Sequence, residues 1–153
     1  MNVDMSVAPE IALLANPLPR QPGPVATRET IGTMAAGLRD LASHPERWWE
    51  RVTFSPGRSE KIDLEFPGFW LAVLSPGDAG LDCDCDVMTV VAGAVTEESV
   101  ADGGGVTTAL LPGRIRVHGQ GQVHQIRAGE DGYAVTLHAR GSAFRLMRNH
   151  LAG

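Results

Sequence analysis

The sequence predicts an all-β fold, an antiparallel barrel or double-sheet jelly roll preceded by two helices. Three observations predict it. Apolar residues alternate or form short runs from Pro56 and Gly57 onward, a pattern typical of strands. Gly or Pro pairs end these runs, and no helical pattern separates them, which favours antiparallel strands over a parallel α/β sheet. The predicted strands are 62–66, 69–74, 87–92, 106–111, 114–118, 123–127, 133–140 and 144–147.

Length and composition predict one domain with one core, because the chain has 153 residues of which 43% are hydrophobic. The net charge of -5 and the scattered Lys and Arg residues give no basic surface, so nucleic acid is not expected as a partner. No apolar run approaches the roughly 20 residues of a bilayer span. We therefore expect a cytoplasmic protein without a membrane partner. A homodimer through a sheet edge remains open.

The N-terminal part divides into an arm and a helical region. Residues 1–26 contain five prolines and almost no charge, which predicts a flexible arm before a domain at 27–153. Thr27 can cap a first helix that ends near His44, and Pro45 can open a second short one. The apolar positions of the two helices are Ile31, Met34, Leu38, Leu41, Trp48, Trp49 and Val52. All three tryptophans, Trp70 included, are expected to be core or helix-packing aromatics.

The most distinctive motif is an acidic and thiol alternation that contains both cysteines of the chain. On a strand, Cys83 and Cys85 face one side and Asp82, Asp84 and Asp86 the other. Two thiols can share one ion with a distant histidine, and His124 is the candidate. In the opposite register, Asp82 and Asp84 would join a histidine in a harder set suited to iron or manganese. A third interpretation has two buried, inert thiols and no metal.

Other polar residues have both structural and functional interpretations. His138 lies within an apolar run, where a core histidine or a group that orients a substrate is expected. His118 precedes a glycine and is predicted at the surface end of a strand. The adjacent Glu97 and Glu98 are predicted to be solvent-facing hairpin charges, and glycines 103–105 a hairpin tip.

Several motifs together resemble bacterial cysteine dioxygenases. They are Pro-Glu-Arg-Trp at 45–48, a strand that ends in Pro-Gly at 76–77, Val-His at 123–124, Val-Thr-Leu-His-Ala at 135–139 and Arg-Leu-Met at 145–147. The resemblance covers roughly residues 33–150. It implies a small cupin barrel that binds ferrous iron with three histidines and adds both oxygen atoms of O2 to the sulfur of cysteine.

The resemblance also assigns metal ligands. Counted without a gap from Pro76 and Gly77, the family's His-Asp-His-Asp falls on residues 83–86. Cys83 and Cys85 thus stand where the family has two iron-binding histidines, and His124 matches the third ligand. The cofactor implied is Fe(II). A Cys2His set is also a catalytic zinc arrangement that leaves a position for water, so Zn(II) remains open, and a degenerate barrel would hold no metal.

Catalytic and substrate roles follow from the same resemblance. His138 would support bound substrate or oxygen, and Arg140 stands where the family has a tyrosine. Thr136 keeps the family's Ser or Thr two positions before the histidine. Arg58 and Lys61 lie near the place of the arginine that binds the substrate carboxylate, and Lys61 or Arg140 could pair with that group.

Two functions from different classes remain. The first is a relative of the thiol dioxygenases that oxidises a small thiol at an altered metal centre. The second is a metal-free cupin that binds a small acidic ligand as a binding or regulatory module. Metal content distinguishes them.

Overall fold

The computed structural model describes residues 30–101, 104–118 and 123–141. The predicted arm at 1–26, Thr27 and the predicted strand at 144–147 lie outside these ranges. The elements, in chain order, are helix α1 (Ile31–Ser43), two 3-10 turns (Pro45–Arg47, Trp49–Arg51), β1 (Glu60–Asp63), β2 (Phe69–Leu74), β3 (Leu81–Cys83), β4 (Val87–Ala92), β5 (Val95–Ala101), β6 (Gly104–Leu110), β7 (Ile115–Val117), β8 (His124–Ala128) and β9 (Ala134–Ala139).

The strands form two antiparallel sheets, of orders β1-β2-β9-β4-β7 and β3-β8-β5-β6. The last eight strands pair as nested partners, first with last and inward: β2 with β9, β3 with β8, β4 with β7 and β5 with β6. This nested pairing across two sheets is that of a jelly roll, the architecture of cupins among other families. The predicted antiparallel double-sheet fold is therefore confirmed, and β1 extends one edge.

Helix α1 begins at Ile31, later than the predicted start. Thr30 is the N-cap, and its hydroxyl accepts a hydrogen bond of 3.1 Å from the amide of Thr33. Met34, Leu38 and Leu41 are buried on one face, as the helical spacing predicts. No helix in the described ranges is long and apolar enough to cross a membrane.

The predicted second helix is replaced by the two 3-10 turns. Trp48 interrupts them with a φ of -146°, and its indole Nε1 donates a 2.7 Å hydrogen bond to the carbonyl of Leu41. This bond holds the buried ring against the end of α1. Trp70 is also buried, whereas Trp49 is 45% exposed and lies outside the core, with its ring centroid 5.6 Å from that of Trp48.

Two apolar clusters cover the two faces of the five-stranded sheet. The outer cluster joins α1 and Trp48 to residues such as Leu71 and Leu137. The inner cluster lies between the sheets and includes Trp70, Met88, Cys83 and Cys85. Because side chains alternate along a strand, β9 presents Leu137 to the helix and His138 to the barrel interior.

Besides the short β3, strand β5 is missing from the predicted strands. It pairs with β6 and β8, and Gly104 and Gly105 belong to β6 and not to the hairpin tip. The turn before it needs Gly93, which has a φ of 78° and where a Cβ would lie 2.4 Å from the carbonyl oxygen of Tyr133. This turn directs β5 across the barrel.

Candidate metal centre

The acidic and thiol alternation has its thiols inside the barrel. Cys83, the last residue of β3, is 4% exposed and Cys85 is 2% exposed, whereas Asp82 is exposed. Asp84 is partly exposed and pairs with Arg140. Asp86 is buried and accepts a 2.8 Å hydrogen bond from the amide of Gly141. The register with inward thiols is therefore the one present, and the alternative set with Asp82 and Asp84 does not form.

Both thiols lie against His138. The Sγ atoms of Cys83 and Cys85 are 2.7 Å apart, and Nδ1 of His138 is 3.2 Å from the first and 3.3 Å from the second. His138 is fully buried. Its Nε2 is 2.7 Å from Oγ1 of Thr136, and its ring stacks on Trp70 with centroids 5.4 Å apart and planes 3° apart. We call Cys83, Cys85 and His138 the thiol group.

The thiol pKa values of Cys83 and Cys85 are shifted in opposite directions. The pKa of Cys83 is lowered to about 4, mainly by its hydrogen bond with Cys85 and further by the neighbouring His138. The pKa of Cys85 is raised well above the ordinary value, mainly because the thiol is buried, and also because it lies beside the Cys83 thiolate. The contact between the two thiols therefore favours ionisation of Cys83 over ionisation of Cys85.

A second group of donor atoms combines two residues of the four-stranded sheet with one residue that follows β7. Glu97 on β5 is 1% exposed and pairs with Nε2 of His118, which follows β7 and is also buried. Nδ1 of His124, the first residue of β8, is 3.7 Å from Oε2 of Glu97. The two histidine rings stack with centroids 3.7 Å apart. One ligand atom from each of Glu97, His118 and His124 lies within 4.8 Å of the other two. We call Glu97, His118 and His124 the carboxylate group.

The ring nitrogens of His124 are buried and suit metal binding. The residue is 2% exposed, and within the described part of the chain neither of its ring nitrogens makes a hydrogen bond. Its pKa is lowered, first by burial and second by the neighbouring His118. Because metals bind neutral imidazole, and because buried polar atoms without partners are uncommon in folded proteins, the carboxylate group fits a divalent cation.

The predicted metal ligands Cys83, Cys85 and His124 are adjacent but divided between the two groups. Cys83 and His124 are direct partners across β3 and β8. The donor atoms nevertheless cluster with different neighbours: the thiols with His138, and His124 with Glu97. The two groups are in contact, because Sγ of Cys85 is 3.4 Å from Nδ1 of His118.

Two residues of the carboxylate group contradict the sequence-based expectations. Glu97 and His118 were expected at the surface, yet both are buried in the barrel. The sequence does contain one indication for Glu97. It lies two residues after Val95, which is also buried, so the two side chains share one face of β5. Arg116 compensates the buried carboxylate, with its Nη2 2.9 Å from Oε1 of Glu97. Glu98 points the other way, is partly exposed and pairs with Arg127.

The predicted substrate residues lie in different places. Lys61 and Arg140 line a cavity of about 340 Å³ next to Trp70. Nζ of Lys61 is 4.5 Å from the Trp70 ring centroid, and Arg140 is paired with Asp84. Thr136 is buried and contacts His138.

Arg58, the remaining predicted substrate residue, is exposed. Its side chain is 74% exposed, and its guanidinium lies 3.9 Å from the carboxylate of Glu60. The cavity beside Trp70 is lined by Lys61 and Arg140, so the two cations of that cavity are the better placed for a ligand.

Comparison with known proteins finds distant structural similarity. No protein-family model matches the chain, and no curated protein sequence does. Solved structures that are similar include Drosophila melanogaster CENP-C bound to CAL1, at 14% identity and TM-score 0.47, over 67% of this chain and 98% of that one.

Two bacterial structures are also similar. A cupin-2 domain protein from Shewanella frigidimarina matches at 13% identity and TM-score 0.40, over 66% of this chain and 98% of that one. NMB1881 from Neisseria meningitidis matches at 20% identity and TM-score 0.37, over 61% and 94% of the two chains. At these identities and TM-scores the similarities assign no activity to this protein.

Proposed function

We propose that this protein is a cupin-type metalloenzyme that oxidises a small thiol with O2, with Fe(II) held by Glu97, His118 and His124. The observation that carries the proposal is the buried pairing of a carboxylate with His124, whose two ring nitrogens lack hydrogen bonds within the described residues. Two histidines and one carboxylate with open positions form the donor set of non-haem Fe(II) oxygenases.

The charge of the carboxylate group suits a thiol substrate. Glu97 brings one negative charge, which Arg116 partly compensates at 2.9 Å. A set built on Cys83 and Cys85 would instead bring two thiolates when both bind an ion, and these would repel an incoming substrate thiolate. The carboxylate group is therefore the better candidate for binding the substrate sulfur.

The reaction needs no reductant besides the thiol itself. A thiol RSH and O2 give a sulfinic acid RSO2H: both oxygen atoms form bonds to sulfur, the O–O bond breaks, and the sulfur supplies every electron that reduces O2. Bound Fe(II) would supply the one-electron chemistry that a thiol needs to react with triplet O2. Among this chain's residues, Lys61 and Arg140 would bind an acidic end of the substrate in the cavity beside Trp70.

The metal ligands and catalytic residues predicted from the sequence remain alternatives to this proposal. The set Cys83, Cys85 and His124 stays a prediction, as do the catalytic roles of His138 and Arg140. Cytoplasmic location also stays a prediction. The alternative function is a metal-free module that binds a small acidic ligand, and it is supported by Lys61, which lines the cavity beside Trp70 together with Arg140 and Asp63.

The proposal is tested by loading metal-free protein with Fe(II) under anaerobic conditions and then admitting air. The wild type should hold stoichiometric iron and consume O2 with cysteine or 3-mercaptopropionate, with one sulfinate formed per O2. His124→Ala should lose the iron and at least about 100-fold of the O2 uptake, since removing a ligand costs more than the 10–100-fold of a supporting residue.

His44→Ala is the matched control because His44 lies at the exposed end of α1, where its ring contacts Asp40. This variant should keep both iron and O2 uptake. Wild-type protein that stays free of iron would sink the proposal in favour of the metal-free module. Iron binding without O2 uptake would refute oxidation of these two thiols.

A further inference from the structure

The thiol group is a second candidate metal site that the proposed oxidation does not use. The three donor atoms of Cys83, Cys85 and His138 lie 2.7 to 3.3 Å from one another. All three residues are at most 4% exposed. We propose that this group binds a thiophilic cation, with Zn(II) as the reference ion, at a position distinct from the iron of the carboxylate group.

The backbone around the thiols is held in place on both sides. The amide of Asp86 donates a 2.9 Å hydrogen bond to the carbonyl of Ala139, and the amide of His118 donates one of 2.9 Å to the carbonyl of Asp86. Arg140 pairs with Asp84, between the two cysteines. The segment that carries the sulfurs is therefore fixed between β9 and the end of β7, and ligands held in this way lose little freedom on binding an ion.

The histidine of the group is oriented by two neighbours. Oγ1 of Thr136 lies 2.7 Å from Nε2, and the Trp70 ring is stacked on the imidazole at 5.4 Å. When Nε2–H donates to Thr136, Nδ1 carries the lone pair and faces both sulfurs. A hydrogen bond to the second ring nitrogen is the usual support of a metal-binding histidine.

The donor types select the ion. Sulfur ligands prefer zinc or Cu(I) to calcium and magnesium, and a Cys2His set is a known zinc arrangement with one position open. The carboxylate group offers harder atoms, so the two groups are expected to bind different metals. Zn–S bonds of about 2.3 Å at tetrahedral angles would separate the sulfurs to about 3.8 Å. Ion binding thus requires the thiol side chains of Cys83 and Cys85 to move apart.

Cobalt reports this site directly, because a thiolate bound to Co(II) gives a charge-transfer absorption that oxygen and nitrogen ligands do not give. Full-length, metal-free protein titrated with Co(II) should develop that absorption, and Zn(II) should displace it. Cys83→Ser/Cys85→Ser should lose it. Glu97→Gln should keep the thiolate absorption with Co(II) but lose iron binding. The two variants therefore test the two metal sites independently.

Two further measurements keep the proposal falsifiable if the double serine variant folds poorly. Thr136→Val should weaken zinc binding about 10-fold, because it releases Nε2 of His138 while leaving the sulfurs in place. Cys83→Ala/Cys85→Ala provides a smaller, apolar variant whose folding is checked by circular dichroism. Wild-type protein that binds Co(II) without thiolate absorption overturns the proposal, as does absorption that persists in a folded double variant.

Discussion

Replacing Glu97 by alanine is expected to lower the free energy of unfolding of the metal-free protein by about 3 kcal/mol. The change leaves His118 and Arg116 without the carboxylate that each contacts. Removing one partner of a buried ion pair costs about 3–5 kcal/mol. We expect the lower end, because the side chain of Arg116 is 42% exposed and can turn to water.

The neighbouring residue provides a matched control. Glu98 lies on the opposite face of β5, is 42% exposed and pairs with Arg127. Exposed ion pairs contribute little, so Glu98→Ala should cost less than about 1 kcal/mol. Urea unfolding followed by tryptophan fluorescence and circular dichroism measures both variants. Equal losses for the two variants would contradict the burial of Glu97 inside the barrel.

Leu38→Ala is expected to destabilise the protein by about 2–5 kcal/mol, the range for a large apolar side chain truncated in a core. Leu38 is fully buried in the outer cluster, where α1 packs on the five-stranded sheet. The loss contains the transfer free energy of the removed atoms and the cost of the cavity left behind.

The adjacent Arg39 is exposed on the same helix. Arg39→Ala should change the unfolding free energy by no more than about 0.5 kcal/mol, as is usual for surface positions. The same urea unfolding experiment compares the two variants. A loss for Leu38→Ala that is no larger than the loss for Arg39→Ala would show that α1 does not pack on the sheet.

The sequence pattern was sufficient for those elements whose apolar periodicity is strong. The runs at 69–74 and 87–92 were predicted with the bounds that β2 and β4 have. These central strands are covered by a cluster on each face, so their sequences are apolar apart from Thr89. Strand β5 was not predicted because its Thr, Glu and Ser residues hide its alternation. The prediction of a second helix was wrong because the packing of Trp48 against α1 outweighs the local helix propensity.

The candidate site could be predicted only in part, for a physical reason. Local alternation, which a sequence displays, places Cys83 and Cys85 on one face but leaves open which face lies inside the barrel. The grouping of His124 with Glu97 and His118 depends on which strands pair across the barrel: β8 lies beside β5, whereas β7 lies in the other sheet. Such contacts between distant segments leave no local pattern. A buried glutamate also looks like a surface residue until its compensating Arg116 is located.

Anomalous diffraction at the iron edge, from crystals of protein loaded with Fe(II), would locate the metal most directly. We expect a peak within about 2.0–2.2 Å of a carboxylate oxygen of Glu97 and of one ring nitrogen each of His118 and His124. A barrel without an iron peak, or a peak bonded to Cys83 and Cys85 and not to Glu97, would contradict the proposed centre.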